Sequence, residues 1–125
     1  MQRLIRSFGY AFAGVGYGLR TQANFRIQVL IASGVILAGV VFKLSTTEWA
    51  ILVVTMMIVL SAELLNTAIE AVVDRVGNET HPLSKIAKDA GAGAVLIGAV
   101  GAIIVGVLIF GPRLLTLIAP GQSAP

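Results

Sequence analysis

The chain has 125 residues, 57% of them hydrophobic and only 12% charged, with a net charge of +3 and no cysteine. A soluble domain carries about a quarter charged residues; half that share, with a mean hydropathy of +0.93, places the chain in the integral-membrane class with room for one compact membrane unit. Disulfides, zinc fingers and thiol catalysis are excluded, and the basic residues lack the interleaved aromatics and the recognition module that nucleic acid would require.

The first element, residues 1–22, carries arginines at both ends and an apolar centre broken by glycines and aromatics, which is not the pattern of a secretory signal. Leu4, Phe8, Ala11, Phe12 and Val15 fall on one side, and Arg3, Arg6 and Tyr10 fall elsewhere. This spacing predicts an amphipathic helix on the membrane surface. Gly14, Gly16 and Gly18 make a lone G-x-G-x-G, a surface segment rather than a phosphate cradle.

Three spans follow, over residues 27–43, 48–73 and 84–110, with a frayed tail over 111–125. Gln28 and Ser33 are the polar interruptions of the first span. Thr46 or Thr47 is expected to cap the second span, with Glu48 in its first turn and Trp49 as an interfacial anchor. Gly77 is its expected C-cap, with Pro82 shortly after. Gly111-Pro112 is expected to end or kink the third span. Arg3, Arg6, Arg20, Arg26, Arg75, Lys85 and Lys88 lie on one side of these spans, and Lys43 and Arg113 on the other. The excess of positive charge predicts an N-terminus in the cytoplasm and a C-terminus outside a bacterial inner membrane.

The second span ends in SAELLNTAIEAVVDR, in which Glu63, Asn66, Glu70 and Asp74 recur at intervals of three, four and four. At 3.6 residues per turn they form one stripe, with Glu63 about 16 Å along the axis from Asp74. Carboxylates that continue an apolar run are costly, so they are read as functional and paired. A short GNETHP turn returns the third span antiparallel, which places Lys88 and Asp89 beside Glu70 and Asp74. Carboxylates for Mg²⁺, a lysine for phosphate and a deeper carboxylate as base are the parts of phosphoryl transfer. No Walker sequence is present. His81, the sole histidine, sits in a turn and offers little to a histidine-based mechanism. Ala90, Ala94, Gly98, Ala102 and Gly106, each four apart, form a small-residue ladder for close helix packing, within one subunit or between subunits.

The run E-x-x-N-T-A-I-E-x-x-V-D, followed by A-K-D, together with the upstream SFGYAFAGVGYGLRTQANFRIQ, resembles the bacterial diacylglycerol kinase and undecaprenol kinase family. The resemblance covers most of the chain. It implies an all-α homotrimer of three-span subunits that uses MgATP to phosphorylate a lipid hydroxyl at sites between subunits. Glu63 then matches a general base, Asn66 a residue orienting it or the phosphate, Glu70 a metal ligand, and Lys88 and Asp89 nucleotide contacts. Arg3, Tyr10, Asp74, Glu79, Thr80 and His81 match positions near the nucleotide, so that His81 touches ATP without being catalytic. Gln22 stands where well-known members carry a second metal-binding glutamate, which puts a second metal in doubt but not the activity. HPLSKIAKDAGAGA and TQANFRI are more similar to undecaprenol kinases than to diacylglycerol kinases. The rival readings are a small proton-coupled transporter exchanging protons at Glu63, and a structural or pore-forming protein in which the stripe is helix glue. Both predict no lipid-stimulated ATP consumption.

Overall fold

The computed structural model describes residues 1–77 and 81–118. Four helices follow one another: α1 (Gln2–Thr21), α2 (Ala23–Val41), α3 (Thr46–Val76) and α4 (Pro82–Ile118). The last three are long and apolar enough to cross a membrane. At about 1.5 Å per residue, α2 with 19 residues just covers a hydrocarbon layer of about 30 Å, whereas α3 with 31 and α4 with 37 overshoot it. The surplus is where charged residues can sit without being dragged into lipid.

Gln22 alone joins α1 to α2, in an extended conformation that lets the chain turn between them. The corner is held by Arg26, whose guanidinium donates to the carbonyls of Leu19 (3.3 Å) and Arg20 (3.2 Å) at the open end of α1. Gly18 is buried there, because a Cβ would lie 2.9 Å from Leu64 of α3.

The α2–α3 turn closes with Lys43 at φ 51°. Its amide bonds to Val40 O and that of Leu44 to Gly39 O, the paired bonds of a Schellman ending with a lysine in the usual glycine position. The N-cap of α3 is Ser45, not Thr46 or Thr47. Its hydroxyl accepts from the Glu48 amide while the Glu48 carboxylate accepts from the Ser45 amide, a capping box. Gly77 ends α3 at φ 71°, as its sequence context predicts. The Trp49 ring lies against Gly39, where a Cβ would come within 2.7 Å.

The apolar core of Leu44, Leu52 and Ile109, flanked by the Phe42 and Phe110 rings 6.0 Å apart, sits at this end of the bundle. The third span does not stop at Gly111-Pro112, because α4 runs on to Ile118. Proline there removes one ladder bond, but Arg113 donates to Ile109 O (2.6 Å) and pairs with Glu48 (2.8 Å), tying the last turns of α4 back to α3. The small-residue ladder faces α3 only in part. A four-residue step rotates by about 40° on a 3.6-residue helix, so Gly98 meets Val59 while Ala90 and Ala94 stay exposed.

Ser45→Ala should lower the stability of the folded chain in detergent by about 1 kcal/mol, through loss of the cap, while Ser45→Thr stays near wild type. Thermal unfolding followed by circular dichroism measures the difference.

Candidate active site

Among the described residues, the buried polar or charged side chains are Glu63, Asn66 and Thr67, all within little more than one turn of α3. Glu63 is turned to α2, Asn66 to α4 and Thr67 to the groove against α1, so the polar stripe points inward where it is deepest. Glu63 is 3% exposed. One of its carboxylate oxygens accepts a hydrogen bond from Gln28 Nε2 of α2 at 3.2 Å. Its carbonyl accepts from the Thr67 hydroxyl at 2.9 Å, which occupies a donor that would otherwise be stranded.

One turn on, Asn66 donates through Nδ2 to Glu70 Oε1 at 3.1 Å. The Asn66 Oδ1 is buried without a hydrogen-bond partner. It presses on the backbone of Gly91 in α4, where an added Cβ would overlap it. The absence of a side chain at position 91 is therefore what lets Asn66 stand between the two helices. Glu70 is half-buried and Asp74 exposed, so the stripe grades from buried to open along the helix. At the open end Asp74 Oδ1 pairs with Lys88 Nζ of α4 at 2.6 Å.

The antiparallel return of α4 thus brings Lys88 to Asp74 as expected. Asp89 takes another course: it pairs with Lys85 on its own helix, and both side chains are well exposed. Lys88, Asp89, Lys85, Ser84 and Val73 line one shallow groove of about 230 Å³. Asp89 therefore shares a surface with Lys88 without touching Asp74. His81 Nδ1 accepts from the Leu83 amide at 3.2 Å, at the exposed start of α4. Glu79 and Thr80 lie outside the described residues. On α1, Arg3 is exposed, while Tyr10 borders a groove of about 430 Å³ against Leu64, Thr67 and Ala71 of α3. Gln22 is half-buried at the α1–α2 corner.

Among the described residues, no three acidic or histidine side chains gather as a metal cluster. One chain therefore offers the Glu70 carboxylate, a hard donor suited to Mg²⁺, but not a full shell, because the Asn66 oxygen is turned to Gly91 and away from Glu70. Two contributors escaped the sequence reading. Gln28 was legible as a polar residue in an apolar span but not as the partner of Glu63, and Gly91 lies outside the four-residue ladder. An amide at the sixth residue of α2 is itself costly in hydrocarbon, and that cost was the available signal.

A membrane-spanning helical unit whose buried carboxylate leads by way of an amide and a second carboxylate to a lysine at the helix end has the parts of a membrane phosphotransferase. A family profile described as prokaryotic diacylglycerol kinase matches residues 9–110. A diacylglycerol kinase of Synechocystis is 49% identical over 115 residues, 91% of this chain and 66% of that protein, so the chain spans just under two thirds of that relative. An undecaprenol kinase of Bacillus subtilis is 43% identical over 114 residues, covering 91% of this chain and 93% of its own length. A diacylglycerol kinase of Escherichia coli K12 is 36% identical over 102 residues, covering 82% and 84%. The chain belongs to the prokaryotic diacylglycerol kinase family. It is a membrane lipid kinase, which makes ATP its co-substrate and leaves the transporter reading without support.

Gly91→Ala should push Asn66 off Glu70 and lower kinase turnover by about tenfold or more, whereas Gly93→Ala, where a Cβ meets nothing within 4 Å, should leave it near wild type. Turnover of the two purified variants, with thermal unfolding to confirm that both fold, checks the contrast; equal effects would contradict it.

Proposed function

We propose that the protein transfers the γ-phosphate of MgATP to the hydroxyl of a long-chain lipid alcohol at the cytoplasmic face of a bacterial inner membrane. The observation that carries this reading is the depth grading of the α3 stripe, from buried Glu63 to exposed Asp74 paired with Lys88. In this reading Glu63 accepts the hydroxyl proton from an acceptor that enters sideways from the bilayer. Asn66 holds the Glu70 carboxylate in place through its amide nitrogen. Lys88 and Asp74 would serve the nucleotide with Asp89, and Arg3, Tyr10 and His81 would contact it from α1 and the start of α4.

Glu70 would hold Mg²⁺, and an ion bound there would neutralise charge on the phosphates. Gln22 supplies an amide oxygen at most, in line with a single metal. The amphipathic spacing of α1 supports its lying on the cytoplasmic membrane surface, and the excess of basic residues at the α3–α4 end supports a cytoplasmic N-terminus. Many large apolar side chains of the spans are exposed in the single chain, which supports assembly into a homotrimer with sites between subunits as well as contact with lipid. For the acceptor we favour undecaprenol over diacylglycerol, on the likeness of HPLSKIAKDAGAGA and TQANFRI to undecaprenol kinases and on the match in overall length to the relative of that name, 93% of which is covered.

With purified protein in phosphatidylcholine vesicles, labelled phosphate should pass from ATP to undecaprenol faster than to diacylglycerol. Glu63→Gln should lower turnover by about a hundredfold or more. Turnover near wild type in Glu63→Gln would overturn the assignment of the base. Glu70→Ala should raise the Mg²⁺ concentration needed for half-maximal rate by about tenfold or more, and an unchanged Mg²⁺ dependence would remove Glu70 from the metal site.

A further inference from the structure

We propose that Gln28 is a positioning residue that hydrogen-bonds Glu63 in both of its protonation states, so that proton transfer to the base leaves no unpaired group in the hydrocarbon. The inference rests on the reading of Glu63 as general base. It starts from an asymmetry in one hydrogen bond. Gln28 reaches across from α2 and donates through Nε2 to Glu63 Oε2 at 3.2 Å, while its own Oε1 is buried without a hydrogen-bond partner. The amide also borders an apolar groove of about 230 Å³ between α2, α3 and α4, with Ile31, Val59 and Leu60 around it. Water is a poor substitute for a missing partner in such a place.

A primary amide carries donors on one arm and an acceptor on the other, and rotation about Cγ–Cδ exchanges them. A carboxylate only accepts; a protonated carboxyl also donates. The Nε2 arm therefore suits Glu63 before the reaction, and the Oε1 arm suits it after. In the transfer, the O–H bond of the lipid alcohol breaks and its proton moves to a Glu63 oxygen. The alcohol oxygen bonds to the γ-phosphorus, and the bond from that phosphorus to the departing ADP oxygen breaks. The new Glu63 O–H then donates to Gln28 Oε1 after the amide turns, until the proton is released and the first arrangement returns.

A charged partner could not serve both states. A cation would hold Glu63 as carboxylate and make it a reluctant proton acceptor; a second carboxylate would force the pair to share a proton. The charged groups on the surrounding elements are engaged elsewhere. Arg26 of α2 donates to the carbonyls of Leu19 and Arg20, Glu70 of α3 accepts from Asn66, and Lys88 of α4 pairs with Asp74, while Arg20 of α1 is exposed. The neutral amide is thus the near partner that decides how Glu63 responds to a proton.

The test compares Gln28→Leu, Gln28→Lys and Gln28→Glu with wild type in vesicles containing undecaprenol and MgATP, together with infrared spectra of the Glu63 carboxyl, assigned by its loss in Glu63→Gln. Gln28→Leu should lower kcat by about tenfold to a hundredfold with the KM for ATP unchanged. The acid limb of the rate, and the infrared titration of Glu63, should move by about one pH unit or more upward in Gln28→Glu and downward in Gln28→Lys. The infrared titration needs folded protein but no turnover, so it reports even on inactive variants. Titrations that stay together in all three variants, or a loss that appears in KM alone, would overturn the role of Gln28. Full turnover in Glu63→Gln would instead overturn the base itself.

Discussion

A carboxylate held among hydrocarbon must find its hydrogen bonds inside the protein, because lipid offers none. Glu63 meets that requirement by drawing Gln28 across from α2, and Asn66 and Thr67 complete a polar island that is buried while most of the chain's surface is apolar. The arrangement of α2 against α3 follows from this demand. The two helices must present one amide and one carboxylate at the same depth, and their apolar faces settle around that pairing. Among the described residues no cation hydrogen-bonds the Glu63 carboxylate, and under its proposed role as base a neutral partner leaves it able to gain and lose a proton.

The second constraint is the approach of α4 to α3. Asn66 stands between the helices only because Gly91 has no side chain, and the closeness this permits carries Lys88 to Asp74 two turns further along. At the opposite end, the Ser45 capping box, the Lys43 turn and the Glu48–Arg113 pair fix the same two helices where the apolar core is densest. The α3–α4 pair is therefore pinned at both ends, and between them the stripe is presented as a graded row. Chemistry that joins a water-soluble nucleotide to a lipid alcohol needs such a gradient, since its two substrates arrive from different solvents.

Much of this was legible in the chain. Charges absent from long runs gave the three spans, and intervals of three and four gave the stripe on one face of α3. The antiparallel return of α4 placed Lys88. What escaped detection depends on rotations between helices that periodicity does not specify. Gln28 read as a blemish in a span because nothing in α2 alone says which residue of α3 it will meet. Asp89 was expected beside Asp74, but a residue next to Lys88 points about 100° away from it around the helix, and Asp89 pairs with Lys85 one turn back. The ladder from Ala90 to Gly106 likewise drifts around α4, so Gly91, outside it, makes the tightest contact. Gly111-Pro112 signalled an end or a kink, and α4 continues through it with Arg113 bonded to Ile109 and Glu48. Ser45 rather than a threonine caps α3 because its neighbour Glu48 falls at the third helical position, where the capping box closes.

The central claim is that the α3 row crosses from water into hydrocarbon between Asp74 and Glu63. The chain has no cysteine, so single spin labels can be placed at Leu65→Cys and Val72→Cys, both exposed sites flanking the row. Power-saturation spectroscopy in vesicles, with oxygen and a water-soluble nickel complex as paired relaxants, reads the depth of each label. The account predicts the residue 65 label to be about 10 Å deeper than the residue 72 label, as seven residues of helix require. Equal depths, or a deeper label at residue 72, would contradict it.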